Sequence, residues 1–247
     1  MNKKLILTIV SVILLVINLF VIYKYDVAES RIIRLASTAL LFLVFLAFKG
    51  FKNKTVLAAF IFFLISDIFI QKYEDPLYNK LTFITTIIGY SILALHILPK
   101  LSFKKTNKLL ITIFAIVVLI NTYMLYELIH MVEFKLIDKT QEFLFYIYGV
   151  AMITMGLFGG NYNFRYNSSQ STFCMFFVFA FILSDISAVM AYYLNVTVFY
   201  HPDRFFYILG LALMTAYATF DFKEEVLFEE DYVENEDKPY EFKRLKR

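Results

Sequence analysis

The sequence predicts an all-α fold, a polytopic membrane helix bundle with about eight transmembrane helices. Hydrophobic residues make up 60% of the 247 residues, and the mean hydropathy is +0.66. A soluble domain is about 45–50% apolar, and the excess does not fit into one core because cores grow slowly with chain length. The apolar residues also occur in runs of roughly 17–25 residues, the length that crosses a bilayer as a helix.

Charged and turn-forming segments separate these apolar runs along the chain. We predict one spanning helix in each run: Leu5–Tyr23, Ile32–Phe48, Thr55–Gln71, Leu81–Leu98, Leu109–Tyr126, Phe143–Gly160, Thr172–Leu194 and Phe205–Phe220. The first run follows MNKK but lacks a small-residue cleavage site, so we expect a retained helix rather than a signal peptide. Residues 1–222 are thus predicted to form the transmembrane helix bundle.

The distribution of Lys and Arg predicts the orientation of the bundle. With eight spans, the side that holds both termini carries 16 of these residues and the other side carries 8. Because basic residues concentrate in cytoplasmic loops, both termini of a multi-pass protein of the cell (inner) membrane are predicted to be cytoplasmic. Residues 223–247 are acidic and then basic without an apolar period, which predicts a flexible cytoplasmic tail.

Several classes of site are disfavoured by the residue counts and spacings. A single cysteine, Cys174, cannot form an internal disulfide, and His96, His130 and His201 are far apart in the sequence. No spacing typical of a zinc or di-iron site occurs, so we expect neither a metal nor a cofactor. The net charge of +3 arises from charges that lie between apolar runs, which argues against a nucleic-acid partner.

A hexamer occurs twice in nearly the same form. FLISDI covers Phe63–Ile68 and FILSDI covers Phe181–Ile186, which lie in the third and seventh predicted helices. With four helices per half, the two copies cross the membrane in the same direction. The spacing therefore suggests a parallel 4+4 internal repeat.

Each hexamer places an aspartate inside an apolar span, and Asp67 and Asp185 are the only carboxylates well inside the predicted spans. Such a residue costs about 2.5–3.5 kcal/mol on insertion scales. A hydrogen bond with a purely structural role between helices stabilises the bundle by only about 0.6 kcal/mol. The pattern favours a functional site facing the bundle interior, supported by the neighbouring hydroxyl groups of Ser66, Ser184, Thr85 and Thr86. Arg34 is expected to extend from its helix end to the membrane surface.

Four segments resemble the YhhN-like, or lysoplasmalogenase, family of membrane proteins, whose members have a similar length and number of helices. These are FIFFLISDIFI (Phe60–Ile70), ALHILP (Ala94–Pro99), YIYGVAMITMG (Tyr146–Gly156) and VFAFILSDISAVMAYYL (Val178–Leu194). Phe83 precedes the second segment, and Tyr207 and Ala212 match the last helix. The chain departs from the family where Leu95 interrupts an Ala-His pair and where Pro99 replaces a tyrosine.

The resemblance implies hydrolysis of the vinyl ether bond of a lysoplasmalogen, a lipid substrate bound within the bilayer. The products would be a fatty aldehyde and a glycerophospho-amine. The two aspartates, Asp67 and Asp185, would then form the acid/base pair, with His96 and Tyr207 among the supporting residues. The sequence does not separate the roles of the two aspartates.

Two other functions fit the same residues. In a small membrane transporter or channel, the aspartates would be proton or cation sites between two repeats. In a membrane scaffold, the tail would recruit a cytoplasmic partner. The sequence carries no signal for the oligomeric state.

Overall fold

A computed structural model describes residues 3–101 and 108–222 of the chain. These residues form eight α-helices: α1 (Lys3–Lys24), α2 (Val27–Ala47), α3 (Lys54–Ile70), α4 (Pro76–Ile97), α5 (Lys108–Val132), α6 (Lys139–Tyr166), α7 (Ser169–Tyr192) and α8 (Tyr200–Thr219). Short 3-10 turns connect several of them, and the described part of the chain contains no strand. The all-α class is confirmed for these residues, whereas the predicted tail, 223–247, lies outside them.

Six of the described helices are long and apolar enough to cross a membrane: α1, α2, α4, α5, α6 and α7. The protein therefore has the character of a multi-pass membrane protein. The helix α3 has 17 residues, which at about 1.5 Å per residue is shorter than a hydrocarbon core of roughly 30 Å. The prediction that eight helices span the membrane stays a prediction.

Helix α8 is the central helix of the bundle. It packs against α1, α2 and α7, and 12 of its 20 residues are buried. It begins at Tyr200, five residues before the predicted start at Phe205, so Asp203 and Arg204 belong to the helix and not to a loop. Protein rather than lipid surrounds α8, which makes these polar residues tolerable.

Helix α6 is longer than predicted. It continues past Gly160, the predicted end, to Tyr166, because Asn167 has a left-handed conformation with φ of 40° and stops the helix there. Ser168 then caps α7 and exchanges hydrogen bonds with Ser171 in a capping box. Gly160 therefore lies inside the helix and not at its end.

Two aromatic rings meet at the centre of the bundle. Phe63 of α3 and Phe181 of α7 are both buried, and their ring centroids are 5.1 Å apart. Each ring lies against a glycine of the following helix: a Cβ at Gly89 would approach Phe63 to 2.7 Å, and a Cβ at Gly210 would approach Phe181 to 2.8 Å. The absence of side chains at these glycines lets α4 and α8 pack closely on α3 and α7.

We expect Gly89→Ala and Gly210→Ala to lower the free energy of unfolding by roughly 1–3 kcal/mol each, because each added methyl group would press on a buried ring. Gly160→Ala is the matched control, since a Cβ there meets nothing within 4 Å. That variant should be neutral or stabilising, because alanine favours helices over glycine. Unfolding by SDS titration of protein in mixed micelles measures all three, and equal shifts would contradict the packing argument.

Both ends of the described chain lie at the same end of the bundle. The Lys3 ammonium group donates a hydrogen bond to the Thr219 carbonyl oxygen at 3.4 Å. The N-terminal half of α8 therefore points to the opposite end, and the candidate site described next lies toward that end.

Candidate functional site

A cavity of about 120 Å³ lies inside the end of the bundle away from the termini. Side chains of α2, α3, α4, α6, α7 and α8 form its wall. Charged and phenolic groups are concentrated there: Arg31, Arg34, Arg204, Asp185, Asp203, Tyr73, Tyr90, Tyr148, Tyr192, Tyr193, Tyr200 and Tyr207. Because about 10–15 Å³ holds one water molecule, the cavity has room for several waters or for a small part of a lipid.

Asp67 lies directly behind the cavity wall. Its carboxylate accepts hydrogen bonds from Arg34 Nε at 2.8 Å, Thr38 Oγ1 at 2.5 Å and the Tyr207 hydroxyl at 2.7 Å. Only 1% of Asp67 is exposed, and it does not line the cavity. It reaches the cavity only through Arg34 and Tyr207, whose guanidinium and ring stack at 3.7 Å.

Arg34 belongs to this network inside the bundle, and the prediction that it extends to the membrane surface is wrong. Its side chain is 11% exposed and pairs with two carboxylates, Asp67 at 2.8 Å and Asp203 at 3.4 Å. The ion pairs explain the difference, because a guanidinium with two carboxylate partners is compensated inside the bundle.

Asp203 is a carboxylate that the sequence assigned to a loop. It accepts hydrogen bonds from Ser184 Oγ at 2.8 Å and from the adjacent Arg204, and it is 1% exposed. Arg204 also donates to Ser30 Oγ at 3.3 Å. Its Nε is buried and has no acceptor among the described residues, so a water or substrate oxygen would complete its hydrogen bonding.

Asp185 differs from the other two aspartates in its partners. It lies on the cavity wall and accepts a hydrogen bond from the Tyr90 hydroxyl. The hydroxyl of Tyr148 is also within hydrogen-bonding reach, and its ring packs on Tyr90 with centroids 5.7 Å apart. Among the described residues no cation forms an ion pair with Asp185.

The charges of the inner cluster therefore balance without Asp185. Arg34 and Arg204 are two cations, and Asp67 and Asp203 are the two anions that they contact. An ionised Asp185 would add an uncompensated charge. A neutral Asp185 would leave the cluster balanced and would hold a proton on the cavity wall.

The serines of the two hexamers make equivalent contacts in the two halves of the chain. Ser66 of α3 hydrogen-bonds to Thr86 of α4 at 2.7 Å, and Ser184 of α7 donates to Asp203 of α8 at 2.8 Å. Both serines therefore hydrogen-bond to a side chain of the next helix.

The aspartates of the two hexamers are also contacted in an equivalent way. Tyr207 of α8, in the second half, donates to Asp67 in the first half. Tyr90 of α4, in the first half, donates to Asp185 in the second half. Each half thus supplies a tyrosine to the aspartate of the other.

The remaining sequence-predicted residues are distributed over the bundle. Thr86 lines the cavity, whereas Thr85 hydrogen-bonds to its own helix through the Leu81 carbonyl oxygen at 2.8 Å and does not line it. His96 lies at the opposite end, where Nε2 and the Tyr217 hydroxyl are 3.0 Å apart. His96 is therefore remote from Asp185 and does not contribute to this cavity.

The sequence-based reasoning missed Arg34, Asp203, Arg204, Tyr90 and Tyr148. A signal for Arg34 was present, because Ser30, Arg34, Ser37 and Thr38 recur at helical spacing and form one polar face of α2. The predicted start of that helix at Ile32 left Ser30 outside it and placed Arg34 at its end, whereas α2 begins at Val27. No comparable signal distinguishes Tyr90 and Tyr148 among the 18 tyrosines.

Across 3–101 and 108–222, no group of three or more His, Cys, Asp or Glu side chains is arranged to hold a metal ion. No protein-family model matches the sequence, and comparisons with curated proteins and with solved structures give no significant match. The functional argument therefore rests on the geometry of the cavity and on the two Ser-Asp hexamers.

Proposed function

We propose that this protein is an integral membrane hydrolase that cleaves the vinyl ether bond of lysoplasmalogens, yielding a fatty aldehyde and a glycerophospho-amine. The observation that carries the proposal is the contrast between Asp185 and the two other buried carboxyl groups of the cluster. Asp67 and Asp203 pair with arginines, whereas Asp185 accepts a hydrogen bond from Tyr90 and has no cation partner among the described residues. The resemblance of both Ser-Asp hexamers to the YhhN-like family supports the same reaction.

Asp185 is the proposed acid. Vinyl ether hydrolysis begins when an acid donates a proton to the vinyl carbon that does not bear the oxygen. The new C–H bond forms as the C=C double bond breaks, and positive charge develops on the carbon bonded to oxygen. Asp185 has no cation partner among the described residues, so an ionised Asp185 would be uncompensated inside the bundle and the protonated form that this step needs is the proposed state.

Asp203 is the proposed electrostatic partner of this step. Asp203 lines the same cavity as Asp185. Its carboxylate would stabilise the oxocarbenium-like cation. Water then adds to that carbon and gives its proton to Asp185, and the hemiacetal collapses to the aldehyde and the free glycerol hydroxyl group. Asp67 acts as a positioning residue that holds Arg34 and Tyr207, which changes the sequence-based pairing of Asp67 with Asp185.

The proposal includes the architecture of the two halves. Ser66 and Ser184 make equivalent contacts with the next helix, and Asp67 and Asp185 each accept a hydrogen bond from a tyrosine of the other half. These similarities support a parallel 4+4 repeat of eight spanning helices. The excess of Lys and Arg near the termini supports cytoplasmic termini in the cell membrane. The cavity would then open toward the outer face of that membrane.

Purified protein in lipid nanodiscs, incubated with a lysoplasmalogen in D₂O, tests the reaction. Mass spectrometry should find a glycerophospho-amine and an aldehyde that, after immediate borohydride reduction, carries one deuterium on the carbon next to the original carbonyl. Proton donation to the vinyl carbon requires that label. Intact substrate after prolonged incubation would contradict the proposal, and an alkyl-ether lysolipid serves as the control that should stay intact.

A proton- or cation-coupled transporter is the second candidate. It is favoured because each aspartate accepts a hydrogen bond from a tyrosine of the other half, which places both at the interface between the halves. Transporters built from repeats place charged residues at the repeat interface. Proton-gradient-dependent uptake in proteoliposomes, without aldehyde release, would favour this function over hydrolysis.

A further inference from the structure

A second pocket, which is more open than the inner cavity and which we call the vestibule, lies at the same end of the bundle. Its volume is about 510 Å³, and its wall includes Arg31, Glu74, Lys135, Tyr192 and Tyr200. The inner cavity of about 120 Å³ shares Arg31, Tyr192 and Tyr200 with it. These three side chains therefore separate two adjoining spaces.

The sizes of the two spaces suit different parts of a lipid. Ligand sites commonly measure about 300–1,000 Å³, a range that includes the vestibule but not the inner cavity. The vestibule is lined by residues from the connections α3–α4, α5–α6 and α7–α8. Connections between spanning helices lie at the membrane surface, where lipid headgroups are found.

The charges of the vestibule are arranged around one ion pair. Arg31 donates two hydrogen bonds to the Glu74 carboxylate, at 2.8 and 2.7 Å. The Arg31 side chain is 8% exposed, whereas that of Glu74 is 65% exposed. The hydrogen bonds from Arg31 lower the pKa of Glu74 below its ordinary value, so Glu74 is an anion at neutral pH.

Lys135 adds a second cation to the vestibule wall. Within the described residues it forms no ion pair, and its Nζ lies 5.9 Å from the centroid of the Phe134 ring. The wall therefore presents two cations, one anion and two tyrosines, Tyr192 and Tyr200. Guanidinium and ammonium groups bind phosphate, while carboxylates and aromatic faces bind substituted ammonium groups.

We propose that the vestibule binds the zwitterionic phospho-amine headgroup of the lysolipid. Its phosphate lies between Arg31 and Lys135, and its ammonium group contacts Glu74, Tyr192 and Tyr200. This inference rests on the proposed function and names the headgroup class. The Arg31–Glu74 pair opens when the headgroup enters, and each of its charges gains a partner of opposite sign.

The same arrangement discriminates between headgroups. A phosphate without an amine would occupy Arg31 and leave Glu74 beside a second anion. A zwitterion avoids this repulsion because its ammonium group replaces Arg31 as the partner of Glu74. The vestibule should thus prefer a phospho-amine to a simple phosphate monoester.

Binding of non-cleavable probes separates this inference from the chemistry. The probes are a 1-O-alkyl lysophosphocholine and the matching 1-O-alkyl glycerophosphate, titrated into nanodisc-embedded full-length protein. The wild type should bind the phosphocholine at least tenfold more tightly. Glu74→Gln should weaken phosphocholine binding about tenfold and leave or improve glycerophosphate binding, which reverses the preference. Lys135→Gln should weaken binding of both probes.

Lys80→Gln is the matched control, because Lys80 is paired with Asp138 at the same end of the bundle and lies outside the vestibule. It should bind both probes as the wild type does. Equal binding of the two probes by the wild type, or an unchanged preference in Glu74→Gln, would overturn the inference. The Glu74 side chain is 65% exposed, so Glu74→Gln should fold as the wild type does. Aldehyde release without headgroup preference would refute the vestibule alone, and headgroup preference without aldehyde release would refute the hydrolase alone.

Discussion

Asp185→Asn should reduce lysoplasmalogen turnover by about 10²–10⁴-fold, the contribution usual for a general acid. Asparagine has nearly the same shape and can still accept the hydrogen bond from Tyr90, but it has no proton of suitable acidity to donate to a vinyl carbon. Because the Arg34 and Arg204 pairs do not involve Asp185, the charge balance of the inner cluster is retained. The midpoint of unfolding should therefore change little.

Two further variants sharpen the test of Asp185. Asp26→Asn makes the same chemical change at an exposed position whose side chain caps no helix hydrogen bond, and it should leave turnover unchanged. Tyr90→Phe removes one partner of Asp185 and should shift the pH profile of the rate, which a purely structural change would not do. Full turnover by Asp185→Asn protein would remove this residue from the mechanism, whatever the other variants show.

The helices could be predicted from the sequence because a bilayer imposes a strict rule. Every spanning segment must satisfy its own backbone hydrogen bonds over about 20 apolar residues. The runs around α1, α2, α4, α5, α6 and α7 follow that rule, and the structure places helices there. Helix α8 departs from it because protein surrounds it, so its apolar signal begins later than the helix itself.

The site was predictable in part, for a reason that is also physical. An aspartate inside an apolar run is too costly to face lipid, so the inward positions of Asp67 and Asp185 could be expected. Tyr90 could not be expected as the partner of Asp185, because it comes from α4, 95 residues away in the sequence, and nothing distinguishes it among the 18 tyrosines. The partners decide which carboxyl group is ion-paired. Only the packing of the helices in three dimensions shows which partner each carboxyl group has.

Arg34→Met should lower the free energy of unfolding by about 3–5 kcal/mol, the usual cost of removing one partner from a buried ion pair. Arg34 is the cation shared by Asp67 and Asp203, and methionine fills a similar volume without charge. Asp203 keeps Arg204 as a partner, but Asp67 keeps only the hydroxyl groups of Thr38 and Tyr207. A buried carboxylate is then left without a cation.

The double variant Arg34→Met/Asp67→Asn tests that cause directly. Removing the stranded charge should recover a large part of the lost stability, since replacing both members of a buried pair is far less costly than replacing one. Lys80→Met, which breaks the exposed pair with Asp138, should have little effect because solvent screens such pairs. SDS unfolding of all variants in mixed micelles measures the coupling. If the double variant were no more stable than Arg34→Met, the charge of Asp67 would not be what Arg34 compensates, and the ion-paired half of the proposed site would lose its basis.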